Sequence, residues 1–440
     1  MNKTETYELA GWIVAQAKKA GADEASVNIS KSRDIEIDCR ERKVEKLKES
    51  TQNSLSLSIY ANSRYSNHST NDLSRAALGT FVSEAVAMTK YLSEDPFRTL
   101  PEAKYYQGRE TRDLHIFDPS YEGLSSDARV ALAREVEDAA LAESDKIIST
   151  TASFSDSFFE TVKVHSNGFE GDRIGTSFSI GADATVRGNG DARPEDWDWR
   201  TVRFRKDLPA GEVIGKQAVQ RALRKIGQTK LDSGRYDMIV ENRAGSRLLG
   251  ALIGPMNARS LQQKRSFLEG KLGQKIGSEK LTIIDDPFID YGMGSRLYDG
   301  EGMATRKRVM IDKGVLKSYY VDTYYGKKLG MEPTTGSTSN LVFDYGDQSL
   351  DEMVKGLQRG ILVTNFIGGN SNGTTGDFSF GIMGILIENG EPVKAVNEMN
   401  ISGNSTELWN QLVALGNDAY PFSSWRRPSL YFKDVQFAGV

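Results

Sequence analysis

From Ile147 to Phe204, polar and apolar residues alternate with little interruption. A period of two sends successive side chains to opposite faces of an extended chain. Such a stretch can bury one face of a sheet but not one side of a helix. Its main breaks are Ser166-Asn167-Gly168 and Arg187-Gly188-Asn189-Gly190, both turn chemistry. The pattern predicts a meander of antiparallel strands. Helical periodicity flanks it: Val130, Val136 and Leu141 mark the buried side of a helix over 126–144, and 210–226, closed by Gly227, makes another. Helix, meander, helix is an α+β arrangement rather than a series of βαβ units.

The stretch before the meander reads similarly. Leu9, Ile13, Val14 and Ala17 share one face of a helix over 4–20, which Gly21 can end. Val27/Ile29, Ile35/Ile37/Cys39 and Leu55/Leu57/Ile59 alternate as strands. Asn71 or Asp72 can cap a second helix, with Leu78, Phe81, Val82, Ala85 and Met88 as its stripe. The charged run Arg40–Glu49 fits a solvated strand or hairpin, a partner-binding edge being the functional alternative. After a connection over 91–110, the meander and 210–226, a third unit begins with a strand at 237–240 and a small-residue helix over 244–253. Next come a strand at 281–284, a hairpin at Asp312-Lys313-Gly314 and a helix over 322–329. Strands at 361–367 and 378–388 flank the glycine-rich loop Gly368–Gly376. A helix over 406–415 and a strand near 430–437 complete it. The expected architecture is an N-terminal α/β region of two subdomains, 1–105 and 106–229, followed by a β-rich C-terminal domain, 230–440.

Composition narrows the function. Of 440 residues 42 are Gly and 11 Pro. Glycine above its usual share of about 7% suits many tight turns. Lys and Arg total 56 against 60 Asp and Glu, a net charge of -4, which argues against a nucleic-acid or membrane-surface binder. The N-terminus lacks a signal-peptide core and no apolar run is long enough to span a bilayer, so a soluble, cytoplasmic protein is expected. A single Cys forbids an internal disulfide. His68, His115 and His165 lie far apart, which excludes zinc-finger spacings and any His pair one helical turn apart.

Two motifs invite chemistry and decline it. Gly369-Asn370-Ser371-Asn372-Gly373 spells GxSxG, but a strand-like stretch follows where a nucleophile elbow needs a helix, and every His precedes the Ser. The loop also lacks the Lys-Ser/Thr pair of a phosphate cradle. Carboxylates are the abundant acid/base candidates. Asp285-Asp286-Pro287 reads as a capped turn. Asp299 and Glu301, two apart, fall on one face of a predicted strand, with Arg306 and Arg308 following. That spacing fits either an ion-pair ladder or the polar wall of a substrate cleft.

Several third-unit segments, in order, carry a likeness. Asp299-Gly-Glu-Gly-Met-Ala-Thr-Arg306, Ile311-Asp-Lys-Gly-Val-Leu-Lys317, Lys327-Lys-Leu-Gly330, Asn365-Phe-Ile-Gly-Gly369, Ile387-Glu-Asn-Gly390 and Ser402-Gly-Asn404 resemble the TldD/PmbA family. This is a metallopeptidase family also called modulator of DNA gyrase. The likeness is close from about 237 to 418. It implies a TldD-type branch holding zinc through an HExxxH helix and a late Cys, and a TldE/PmbA-type branch that lacks those ligands and pairs with a TldD-type subunit. The matching stretch here is Val240-Glu-Asn-Arg-Ala-Gly-Ser246. Glu241 and Ser246 stand where the histidines are expected, and Asn242 at the general-base position. One carboxylate, one hydroxyl and one amide make a poor zinc site, and no Cys follows Cys39. The resemblance therefore implies a TldE/PmbA-like subunit, itself without catalytic residues, metal or cofactor, in a dimer that processes unfolded peptides. Zinc is expected only in the TldD-type partner. Asp299, Glu301, Arg306, Gly369 and Gly376 are the candidates for a peptide channel. Two alternatives stay open: a self-sufficient peptidase using carboxylates, and a non-enzymatic peptide-binding homodimer.

Overall fold

A computed structural model describes residues 2–440 of the chain. Helix α1 (Lys3–Lys19) starts at a capping box: Asn2 Oδ1 accepts from the Glu5 amide and the Glu5 carboxylate from the Asn2 amide, each at 2.9 Å. Strands β1 (Glu24–Arg40), β2 (Lys43–Ala61) and β3 (Arg64–Thr70) follow, then α2 (Arg75–Thr89) and α3 (Ser126–Glu143). The meander is β4 (Ile147–His165), β5 (Glu170–Val186) and β6 (Glu195–Val202), and α4 (Gly211–Leu223) closes it. Both halves of this region contribute to one antiparallel sheet, ordered β3-β2-β1-β4-β5-β6.

Register explains the layering. Val27 sits opposite both Leu57 and Val164, so apolar residues of three strands share a face. Helices α1 and α2 cover one end of that face, α3 and α4 the rest. Asn28, one residue on, faces Ser56 and Lys163 on the opposite, polar side. Under α3, the Arg129 guanidinium meets the Asp156 carboxylate at 2.5 Å with both side chains buried.

The C-terminal region starts with β7 (Gly234–Val240), α5 (Ser246–Ile253) and α6 (Ala258–Gln262). Strands β8 (Ile283–Asp286), β9 (Arg308–Asp312), β10 (Val315–Leu316) and, after α7 (Thr323–Leu329), β11 (Asn340–Phe343) make a small sheet. The remainder are β12 (Arg359–Phe366), β13 (Asn370–Ser371), β14 (Asp377–Glu388), β15 (Glu391–Asn404), β16 (Leu412–Leu415) and β17 (Leu430–Ala438). Because β12 pairs with both β7 and β14, the ring β12-β7-β17-β15-β14 closes on itself. Its core includes Trp409, Phe432 and Phe437, and α5 contributes Leu248, Leu249 and Leu252. The architecture is α+β with a β-rich C-terminal region.

Three local expectations change. Residues 412–415 form β16, paired to β17, rather than continuing a helix, which ends at Asn410. Ser74 precedes α2, while Asp72 accepts the Ser74 amide at 2.9 Å instead of capping the helix. Asp285 and Asp286 end β8, so the turn starts only at Pro287-Phe288, where Asp286 caps it by accepting the Phe288 amide at 2.9 Å; buried Asp285 instead accepts the Ser339 amide at 3.0 Å. No helix among the described residues is long and apolar enough to cross a membrane.

Candidate functional site

Cavities open along the seam between the six-stranded sheet and the C-terminal region, one against β3-β2-β1-β4 and another at the β6 edge. Against β2, β1 and β4, a cleft of about 370 Å³ is walled by Ser26 and Asn28 of β1, Ser58 and Tyr60 of β2, and Lys163 and His165 of β4. The C-terminal wall is Gly300, Glu301 and Tyr324. Asp299 and Glu301 do not lie on a strand. The Gly302 amide bonds back to the Asp299 carbonyl at 3.1 Å, and the Asp299 amide to the Met303 carbonyl at 3.0 Å. Gly302 takes φ +84°, a left-handed conformation that costs glycine little, so the segment turns instead of extending.

The turn separates the two carboxylates. Asp299 is buried, and one oxygen accepts the Glu301 and Met303 amides at 2.9 and 3.0 Å. Its other oxygen is buried without a hydrogen-bond partner, and burial raises its pKa. Glu301 faces the cleft and accepts from the Thr323 amide at 2.8 Å and the Thr323 hydroxyl at 3.0 Å. Burial, with Asp299 and Asp322 nearby, pushes Glu301 up to about 7. Lys163 donates to the Gly300 carbonyl, and burial lowers its pKa against the pull of Asp299 and Glu301. His165, also buried, is pushed down to about 3 and its Nδ1 lies 3.1 Å from the Tyr106 hydroxyl. Arg98 stacks on Tyr324, its guanidinium 3.5 Å from the ring centre. Arg306 is exposed beside Gly108. No ion pair among the described residues joins Asp299, Glu301, Arg306 and Arg308, so of the two readings of their spacing the ion-pair ladder does not form; the turn has taken the acids out of register with β9.

At the β6 end lies the segment after β7. Glu241 is buried and accepts from Arg221 Nη1 at 3.0 and 3.2 Å; Arg243 Nε lies 3.4 Å from its second oxygen. Arg243 also reaches Asp196 at 2.7 Å, which Lys225 contacts at 3.1 Å. Burial opposes charge on Asp196, yet Arg243 and Lys225 hold its carboxyl below the ordinary range. Asn242 donates its side-chain amide to the Asp418 carbonyl at 2.7 Å. Ser246 is exposed at the first turn of α5. This position does not fit zinc: its one carboxylate is clasped by two guanidinium groups, and the other two side chains are neutral.

The glycines are structural here. Gly369 (φ +85°) passes so close to β14 that an added Cβ would sit 2.1 Å from the Ser379 carbonyl oxygen. Its own carbonyl accepts from Arg247. Gly376 (φ +85°) turns the chain into β14, and its carbonyl accepts the Ser405 amide at 2.7 Å. Ser371 is exposed and pairs with Phe378 in the short β13–β14 ladder. The structure thus groups Gly369 with 241–246 through Arg247, and sets Asp299 and Glu301 at the other cleft. Lys163, Arg98, Asp196, Arg243 and Arg427 were not singled out from sequence, and His165 entered only to exclude metal spacings. A signal did exist for one pair: Arg243 lies inside the motif stretch and Arg247 one residue beyond it, four apart.

Taken together, the molecule is a two-part α+β protein with polar cavities at the seam of its halves. Residues 119–226 match the PmbA/TldA metallopeptidase central domain and 233–439 the PmbA/TldA metallopeptidase C-terminal domain. Metalloprotease PmbA of Escherichia coli O157:H7 is 30% identical over 422 residues, covering 95% of this chain and 93% of that one. A Bacteroides thetaiotaomicron protein whose crystal structure is described as a modulator of DNA gyrase is 42% identical; the two cover each other completely with a TM-score of 0.97. TldE from Thermococcus kodakarensis, 23% identical with a TM-score of 0.87 over 98% of this chain and 100% of its own, shares the fold. The chain belongs to the PmbA/TldD family of metalloprotease-like proteins.

Proposed function

We propose that the chain is the TldE/PmbA-like, non-catalytic subunit of a two-subunit metallopeptidase that degrades unfolded peptides in the cytoplasm. A TldD-type partner holds the zinc and activates the water, and this chain completes the dimer and guides the peptide. The clasp on Glu241 carries the reading. The Glu241 carboxylate accepts from Arg221 at both oxygens and has the Arg243 guanidinium 3.4 Å away, so a divalent cation there meets two positive charges. Asn242 is an amide and takes up no proton near neutral pH. The name of the relative from Escherichia coli, a metalloprotease, supports the peptidase side of the proposal. Glu301 and Arg306 are our candidates for contact with a passing peptide, while Asp299, Gly369 and Gly376 hold the walls in shape.

The test uses the purified chain, its metal content, and cleavage of an unfolded casein-type substrate with and without a TldD-type subunit. The expected outcome is no stoichiometric zinc and no cleavage alone, with cleavage on mixing. Asn242→Glu should stay inactive by itself, because no histidine ligands accompany the new base. Zinc-dependent cleavage by the isolated chain, wild type or Asn242→Glu, would falsify this assignment.

A further inference from the structure

The cavity beside α5, about 470 Å³, is lined by three arginines, Arg243, Arg247 and Arg427, and by no carboxylate; Trp197, Ser246 and Asn365 share its wall. Arg243 is matched by Asp196 and Glu241. The other two are not. Among the described residues no carboxylate lies within 4.0 Å of Arg247 or Arg427. Arg247 donates only to the carbonyls of Gly368 and Gly369, and Arg427 only to those of Trp425 at 3.2 Å and Arg243 at 2.8 Å. Arg427 is 6% exposed, and its Nε is buried with no partner. A buried guanidinium bonded only to neutral carbonyls, with the Tyr420 ring 4.9 Å away, keeps part of its desolvation cost, which an incoming anion offsets. Helix α5 starts at this wall without a side-chain cap, and the positive end of its dipole adds to the same field. Asn365, which lines this cavity, carries an Oδ1 that is also buried and unpartnered. An acceptor beside two guanidinium groups that have no carboxylate partner suits an anion with a hydrogen-bond donor nearby, as a peptide has in its N–H.

We infer that this cavity is a carboxylate subsite for peptides, with Arg247 and Arg427 contacting the carboxylate and Asn365 accepting a neighbouring peptide N–H. The peptide identity rests on the proposed role in a peptidase; the anion chemistry does not. The cavity occupies the neighbourhood of the vacated metal position, so a catalytic centre would be replaced by a hold on the substrate.

The full chain, with no partner present, is titrated calorimetrically with N-acetyl-trialanine, its C-terminal amide, N-acetyl-Ala-Asp-Ala amide and inorganic phosphate. The free acid should bind at least about tenfold more tightly than the amide, as expected for losing a charge-assisted hydrogen-bonded pair. Binding of the Asp-containing amide identifies a side-chain carboxylate as a second source of the same contact. Arg247→Gln should weaken the acid about tenfold while leaving the amide unchanged, and Arg247→Lys should retain part of the binding. Because Arg247 is exposed, both variants should keep the wild-type circular dichroism melt. Equal binding of acid and amide, indifference to Arg247→Gln, or phosphate competing at the same concentration as the acid would each overturn the inference. Partner-dependent cleavage is scored separately, so a chain that stimulates a TldD-type subunit but ignores the acid defeats this subsite alone.

Discussion

Glu301 and His165 share one cleft, and burial moves both toward neutrality, with opposite consequences for pH. Glu301 has a folded pKa of about 7, above its ordinary 4.5. Between those values the folded chain binds more protons than the unfolded one, so this contribution is complete below about 4.5 and is lost as pH rises through 7. His165 is depressed to about 3 from 6.5, so its contribution is present above 6.5 and is lost as pH falls toward 3. Glu301→Gln keeps the acceptor for Thr323 but removes the ionisation. Relative to wild type it should gain on the order of 2 kcal/mol between pH 5 and pH 8, read from urea midpoints at the two values. A constant difference across that range would mean that Glu301 titrates near its ordinary value. Nothing in the sequence distinguished Glu301 from Asp299. Both stood on one predicted strand face, and the turn through Gly302 gave one to the interior and the other to the cleft.

Elements with strong periodicity were legible in the sequence. The meander, its two flanking helices and the turn at 166–168 appear where the pattern put them, because one buried face per element is a local requirement. Contacts between elements were not legible. Gly215 is an example: it looks like a weak point inside a helix, yet α4 crosses α3 there so closely that an added Cβ would lie 2.3 Å from the Val136 carbonyl oxygen and 2.7 Å from the Ala140 amide nitrogen. Backbone on the far side cannot swing away as a side-chain tip can. Gly215→Ala should therefore destabilise by about 2–3 kcal/mol despite alanine's better helix propensity. A thermal melt that rises, as propensity alone requires, would show that the two helices can separate at little cost. The short β16 is the converse case. Its apolar residues suit a helix equally well, and only the neighbouring β17 settles the matter by pairing with it.

At the scale of the whole molecule, charged contacts cross between the sheet and the C-terminal region. Arg243 joins Asp196 of β6 to Glu241 just beyond β7, and Arg203 donates to the Met293 carbonyl at 2.6 Å. Removing a buried guanidinium leaves carboxylates behind it, a loss of about 3–5 kcal/mol when nothing else compensates. Lys225 and Arg221 remain in contact with these acids, so Arg243→Met should cost the lower end of that range. The damage should appear at the seam: trypsin should cut faster at the exposed Arg224 and Lys230, in the segment joining α4 to β7, than in wild type. Unchanged cutting there, with the same loss of stability, would place the defect inside one half instead.

Residue pattern alone determined the α+β class, the order of most elements and the family resemblance, all of which depend on neighbours along the chain. It also gave the residue types, Glu241, Asn242 and Ser246, that stand where the resemblance implies the metal position. Only the tertiary structure decided what those residues do: Glu241 is clasped by arginines, one from α4 and one two positions along the chain, and Arg427 arrives from the far end of the sequence to face Arg247 across a cavity. Such meetings are set by how sheets close and helices cross. Charge balance in a cavity is a property of that closure, and no periodicity along the chain encodes it.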